Sequence, residues 1–206
     1  MNTTATPINT AKLTEYDFVV VVDASGSMAE PVKAGASRTR WEAVQETAIG
    51  FARDVAALDS DGIDLVIFGG AFVHAFPGAS PEKLKEAFAS RSPRGGTPLA
   101  EALSSALTMA GKSDKKDFII VFTDGVPDDQ AAAAQVIVNA SNAQASDDAL
   151  TILFVQVGED AHATAYLKQL DDVLTGAKFD IVDAKTVAEA EAFPTTAELV
   201  LAAIED

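Results

Sequence analysis

The sequence predicts one α/β domain built on a mostly parallel sheet, with one antiparallel edge strand and helices on both faces. Three observations carry that reading. Short apolar runs rich in β-branched residues recur without polar alternation, as strands covered on both faces do. Segments of helical character separate them, and strands that alternate with helices make parallel crossover units. At one place two apolar runs are joined by a tight glycine turn instead, which makes an antiparallel hairpin.

In chain order, Thr3 to Thr14 is polar and aperiodic and reads as a flexible lead-in, so residues 1–15 precede the domain and residues 16–206 form it. Asp17–Val22 is the first strand, apolar on both faces and therefore central. Trp41–Leu58 follows as a helix. Ile63–Phe68, the Gly69-Gly70 turn and Ala71–Phe76 form the hairpin. Helices at Pro81–Phe88 and Pro98–Ala110 lead to a strand at Phe118–Phe122, and a helix at Asp128–Ala145 leads to a strand at Leu150–Val157. A helix at Ala161–Leu170, a weaker strand at Lys178–Val182 and a last helix at Thr186–Ile204 complete the chain. Ala131–Ala134 lies in a predicted helix, where alanine has the highest propensity. No repeat or linker divides the 206 residues, a length that suits a single core.

Composition excludes several classes of function. The formal charge of −16 opposes nucleic-acid binding, which needs clustered Lys and Arg. The charge is uneven: residues 1–120 hold 12 Lys and Arg against 15 Asp and Glu, and residues 121–206 hold 3 against 16. The second part reads as a solvated acidic surface. With no cysteine, disulfides, thiol chemistry and zinc–thiolate sites are ruled out. Met1–Thr6 lacks the basic and apolar segments of a leader, and no run approaches the roughly 18 apolar residues of a membrane span. The expected location is cytoplasmic, with no membrane partner.

Three loops carry short oxygen-bearing side chains: Asp23-Ala24-Ser25-Gly26-Ser27, Gly95-Gly96-Thr97-Pro98 and Thr123-Asp124-Gly125. They follow apolar strands or open helices. The carboxyl ends of parallel strands form the ligand crevice of such sheets, so the loops are expected to converge. Hydroxyl and carboxylate oxygens without imidazole or thiolate favour a hard cation. Asp23, Ser25 and Ser27 at alternate positions let a tight turn aim three oxygens inward, with Gly26 relieving the crowding. Gly95-Gly96 permits close backbone approach beside Thr97, Pro98 suits a helix start, and Asp124 ends a buried strand. The expected metal ligands are Asp23, Ser25, Ser27, Thr97 and Asp124. Two carboxylates with three neutral hydroxyls undercharge a divalent ion and leave a coordination place open to an outside anion.

Asp23-x-Ser25-x-Ser27, with Thr97 and the Thr123-Asp124-Gly125 loop, resembles the metal-ion-dependent adhesion site of the von Willebrand factor type A (vWA) family. The resemblance runs from about Tyr16 to the C-terminus, with the three loops in the family's order. It implies a Rossmann-like fold with a six-stranded sheet and Mg2+, or alternatively Mn2+ or Ca2+, at the site. The serines would ligate directly, with Thr97, Asp23 and Asp124 ligating directly or through water. A partner protein's Asp or Glu would complete the shell, and occupancy would shift the last helix in members that switch. Stand-alone bacterial members of this kind work beside AAA+ ATPases of the MoxR type or in stress and tellurite-resistance systems.

Other residues admit plainer readings. Asp128 and Asp129 follow Pro127 at a predicted helix start, where capping and the helix dipole account for carboxylates. Lys33, Arg38 and Arg40 on the long Met28–Arg40 loop, with Arg94, either rim the site and attract an acidic partner or belong to ordinary solvated loops. His74 and His162 have no second imidazole at ligand spacing, and Trp41 packs the first helix. The expected function is a non-enzymatic, metal-dependent protein-binding module. Two alternatives stand beside it: a magnesium-dependent phosphohydrolase, and a scaffold whose metal only stabilises the fold. No phosphate-binding Gly-x-x-x-x-Gly-Lys loop and no His or Lys beside the three loops supports the hydrolase.

Overall fold

The computed structural model describes residues 10–56 and 62–206. Six strands, β1 (Tyr16–Asp23), β2 (Ile63–Gly69), β3 (Phe72–Ala79), β4 (Lys116–Thr123), β5 (Leu150–Gln156) and β6 (Val182–Thr186), form one sheet in the order β3-β2-β1-β4-β5-β6. Every neighbouring pair is parallel except β2 with β3. The hairpin turns at Gly70, whose φ of +58° is a backbone conformation that glycine adopts without a Cβ clash.

The apolar run of β1 is buried along its whole length because both faces are covered, and alternate side chains serve different layers. Phe18, Val20 and Val22 pack with α1 (Arg40–Val55), α2 (Pro81–Ala89) and α7 (Thr196–Ile204). Val19 and Val21 face the opposite layer of α3 (Leu99–Ala110), α4 (Gln130–Ala143) and α5 (Ala161–Asp172). Trp41 is buried edge-on against Phe88 and locks α1 to α2, the packing role its sequence position suggested. Among the described residues no helix is long and apolar enough to cross a membrane.

Three boundaries differ from the expectation. Thr10–Glu15 forms a 3-10 turn anchored by the fully buried Leu13, so this part of the expected lead-in packs on the domain; residues 1–9 lie outside the described ones. The last strand is β6, later than Lys178–Val182. Phe179 does not enter the ladder: its N–H and C=O bond the Ser141 hydroxyl at the end of α4. The helix expected over Thr186–Ile204 is two, α6 (Val187–Glu191) and α7. Pro194 lacks the N–H to continue a helix and pushes the residue before it out of the helical region. Thr186 and Thr195 each cap a new helix start.

One cross-strand pair yields a test. Asp17 and Asp117 sit opposite each other in the β1–β4 register. Asp17 has the Lys115 ammonium at 2.8 Å and accepts the Ser113 hydroxyl through Oδ2 at 2.5 Å, whereas the Asp117 Oδ1 atom is buried without a hydrogen-bond partner among the described residues. Burial first, and the facing Asp17 second, push the Asp117 carboxyl from an ordinary 3.8 to about 6. A carboxyl raised in the folded state favours folding while protonated and loses that advantage as pH rises through about 6. Asp117→Asn is therefore expected to stabilise the fold at pH 8 by ~1 kcal/mol after discounting for partial exposure, which raises the unfolding midpoint. The gain should vanish below about pH 4, where both states carry the proton. Equal midpoints at pH 8 would refute the assignment.

Candidate functional site

The strand order reverses between β1 and β4, since the chain moves outward from β1 through β2 to β3 and later from β4 through β5 to β6. Crevices open at such a reversal, outside the carboxyl ends of the strands. Asp23 is the last residue of β1, and Asp124 directly follows β4. Both are buried.

After Asp23 the chain turns sharply. The Asp23 carboxylate accepts the Ser25 N–H through Oδ1 at 2.7 Å and the Thr123 hydroxyl through Oδ2 at 2.7 Å, which ties the first loop to the end of β4. A 3-10 turn over Gly26–Ala29 follows, and its buried Met28 seats the loop in the core. The Ser25 and Ser27 hydroxyl oxygens lie 3.2 Å apart, and the Ser27 hydroxyl donates to Asp124 Oδ1 at 2.8 Å. Burial raises the Asp23 carboxyl to about 7, with hydrogen bonding from Thr123 pulling it down and the charge of Asp124 adding to the rise. Two acids are thus held close together where water does not screen them.

The Thr97 loop is brought in by backbone. Gly26 N–H donates to the Gly95 carbonyl at 2.9 Å, and Gly70 N–H to the Gly96 carbonyl at 2.8 Å. Gly95 has φ +72°, and a Cβ on it would lie 2.4 Å from the Cα of Gly70, so side chains on this pair would force the hairpin turn and the Thr97 loop apart. The Thr97 hydroxyl makes no hydrogen bond to the other four side chains among the described residues. The structure therefore links Asp23, Ser25, Ser27 and Asp124 through side-chain or local backbone contacts, and places Thr97 on the adjoining loop.

Two neighbours carry roles that the sequence did not separate. Asp129 caps α4 by accepting the Ala132 N–H at 2.9 Å, as expected. Asp128 instead reaches across to accept the Thr97 N–H at 2.9 Å, in the space a Gly96 side chain would need. Arg40, the first residue of α1, directs Nη1 to Asp124 Oδ2 at 2.6 Å and to Glu30 Oε2 at 3.6 Å. Its companions in the basic set do other work: Arg38 pairs with Glu46, and the Arg94 guanidinium stands over the Phe72 ring. The only available signal for Arg40 was its charge, which Lys33 and Arg38 share. The His74 ring meets Phe72 and Arg91, and the exposed His162 lies in the first turn of α5, its backbone N–H donating to Asp160.

The sequence pattern described as the von Willebrand factor type A domain matches residues 18–126. Among solved structures, the PilB minor pilin from Streptococcus sanguinis is similar at a TM-score of 0.62 and 12% identity, over 92% of this chain and 60% of the pilin. The SpRpn10 VWA domain is similar at a TM-score of 0.61 and 12% identity, over 90% of this chain and 93% of that one. Manganese-loaded TRAP from Plasmodium vivax gives 0.60 and 15%, over 87% of this chain and 72% of that one. These are likenesses of fold, and the chain spans less than two thirds of the pilin's length. No curated protein matches.

Proposed function

The chain belongs to the von Willebrand factor type A family, and on that premise we propose that Asp23, Ser25, Ser27, Thr97 and Asp124 hold a divalent cation with which the domain grips a carboxylate of a partner protein. The observation that carries this reading is the spacing of the oxygens. Neighbouring ligands of an octahedral ion bound at 2.0–2.1 Å lie about 2.9 Å from each other. The Ser25–Ser27 and Ser27–Asp124 oxygen separations are 3.2 and 2.8 Å. All donors are oxygen, which suits Mg2+ first and Mn2+ or Ca2+ after it.

The chain's own residues divide the work. Thr123 and the Ser25 N–H orient Asp23, Asp128 orders the Thr97 loop, and Ser27 links the first loop to Asp124. When bound, the cation supplies a Lewis-acidic position able to accept a carboxylate oxygen from outside. The two carboxylates only just balance it and the other donors are neutral hydroxyls, so the open place can take an acidic group of the partner. The reading is of a binding module and not of a hydrolase: the site offers acids and hydroxyls, and neither His74 nor His162 lies on its three loops.

Isothermal titration with Mg2+ or Mn2+ tests the site. Ser27→Ala is expected to weaken binding about 10-fold, because one ligand oxygen and the orientation of Asp124 are lost together. Equal affinity in the wild type and the variant refutes the assignment. Partner capture should be lost on chelation while the circular dichroism spectrum is retained; a fold that melts on chelation, with capture unaffected by metal, favours a stabilising metal instead.

A further inference from the structure

We propose that Arg40 is a resident cation of this site, paired with Asp124 in the metal-free protein and released from it when a divalent ion binds, so that the guanidinium and the metal compete for one carboxylate. The inference rests on the metal-binding reading above and adds to it a residue outside the five ligands. Its basis is the way Arg40 is seated.

Arg40 is only 14% exposed and the Asp124 side chain 0%, so the pair meets inside the crevice rather than on its rim. At 2.6 Å, Nη1 makes a short charge-assisted bond to Asp124 Oδ2, the oxygen that Ser27 does not use. Nη1 also lies 3.5 Å from the Ser27 carbonyl oxygen, within the Asp23–Ser27 loop itself. The opposite wall is cleared for the guanidinium. Gly158, on the loop after β5, has φ +91°, and a Cβ there would lie 2.7 Å from Arg40 Nε. Nε is buried without an acceptor among the described residues, so the seat is charge-matched to Asp124 but incompletely satisfied. Such a pose is one that a stronger cation can displace.

Charge balance gives the direction. Asp23 and Asp124, when ionised, carry two negative charges, of which Arg40 neutralises one. A divalent ion added with Arg40 still in place would put two cations on the one Asp124 carboxylate, with only Glu30, 3.6 Å from Nη1 and 64% exposed, as a further acid beside them. With Arg40 turned away, the ion and the two acids balance. Metal affinity in the wild type is therefore reduced by the work of breaking the Arg40–Asp124 pair, and the free protein is held together by that same pair.

The test uses Mn2+ alone, followed by electron paramagnetic resonance of the unbound ion, together with thermal unfolding of the wild type, Arg40→Gln and Arg40→Lys. Arg40→Gln is expected to bind Mn2+ at least 10-fold more tightly than the wild type and to unfold at a lower temperature without metal; saturating Mn2+ should recover the loss. Arg40→Lys, which keeps the charge, should bind more like the wild type. If Arg40→Gln binds Mn2+ equally or more weakly than a wild type that does bind it, Arg40 is a strut and the competition is refuted. If neither protein binds Mn2+, the metal site itself fails and the competition falls with it. A measurement on the unaltered chain covers the case in which Arg40→Gln does not fold: on titration with diamagnetic Mg2+, the Arg40 Nε–H resonance should shift and exchange faster with water. A resonance unmoved at saturating Mg2+ overturns the proposal.

Discussion

Replacing Asp23 by asparagine is expected to abolish metal binding while leaving the fold intact, whereas replacing it by alanine should damage both. Asp23 does two jobs that these variants separate. Its oxygens accept two buried donors, the Ser25 N–H and the Thr123 hydroxyl, each at 2.7 Å. Leaving a buried donor without an acceptor costs about 1–3 kcal/mol. Asn retains one acceptor oxygen and removes a buried negative charge beside Asp124, so its stability should stay near that of the wild type. Ala strands both donors, and relief of the buried charge offsets only part of that, for a net loss of roughly 2 kcal/mol. Metal affinity should fall about 100-fold or more in either variant, equivalent to about 2.7 kcal/mol, because the proposed site has only two carboxylates and loses one. Calorimetric titration with Mn2+ and thermal unfolding of the same preparations give both readouts. Retained Mn2+ affinity in Asp23→Asn would remove Asp23 from the site.

Gly69→Ala is expected to be strongly destabilising for a single added methyl group. At the end of β2, an added Cβ would fall 2.4 Å from the Ala24 carbonyl oxygen and 2.9 Å from the Ser25 nitrogen. Both are backbone atoms of the loop that carries the serines, and Ala24 N–H is already bonded to the Phe68 carbonyl at 2.7 Å. No rotamer change relieves such an overlap. Overpacking commonly costs 1–3 kcal/mol, and against backbone the cost should reach roughly 3 kcal/mol, a drop of roughly 6–12 °C in unfolding midpoint for a chain of this size. Molecules that remain folded should also lose Mn2+ affinity, since β2 and the first loop can separate only by displacing Ser25. Gly50→Ala is the control: in α1, its Cβ meets nothing within 4 Å, and it should stabilise by roughly 0.5–1 kcal/mol. Midpoints that move together in the two variants would show that the close approach at Gly69 does not matter.

These tests bear on a feature common to the crevice: its geometry is held by backbone proximity and its chemistry by a few buried charges. Gly69 against Ala24 and Gly95 against Gly70 bring three loops within reach of one another. Asp23, Asp124 and Arg40 then supply the charge. A separate acidic group, Asp171, Asp183 and Asp206, has its deepest member, Asp183, paired with Lys185 at 2.6 Å.

The sequence by itself determined the sheet, the hairpin and the convergence of three oxygen-bearing loops. Each of these is written in local pattern: β-branched runs for strands buried on both faces, Gly69-Gly70 for the turn, and short polar side chains placed directly after strands. It misjudged β6 because Phe179 is apolar for reasons of packing outside the ladder and Ile181 only begins it, its carbonyl accepting the Ile152 N–H, while Asp183 and Lys185, which are in it, pair with each other and look like a polar loop. It joined α6 to α7 by giving helical periodicity more weight than Pro194. Only the tertiary structure decided the parts played by Asp128 and Arg40. Asp128 lies 31 residues from the N–H it accepts, and Arg40 lies 84 residues from the carboxylate it pairs with. In the sequence each resembles its charged neighbours; folding selects one by giving it a buried partner, and that selection depends on how the strand ends and glycine contacts bring distant loops together.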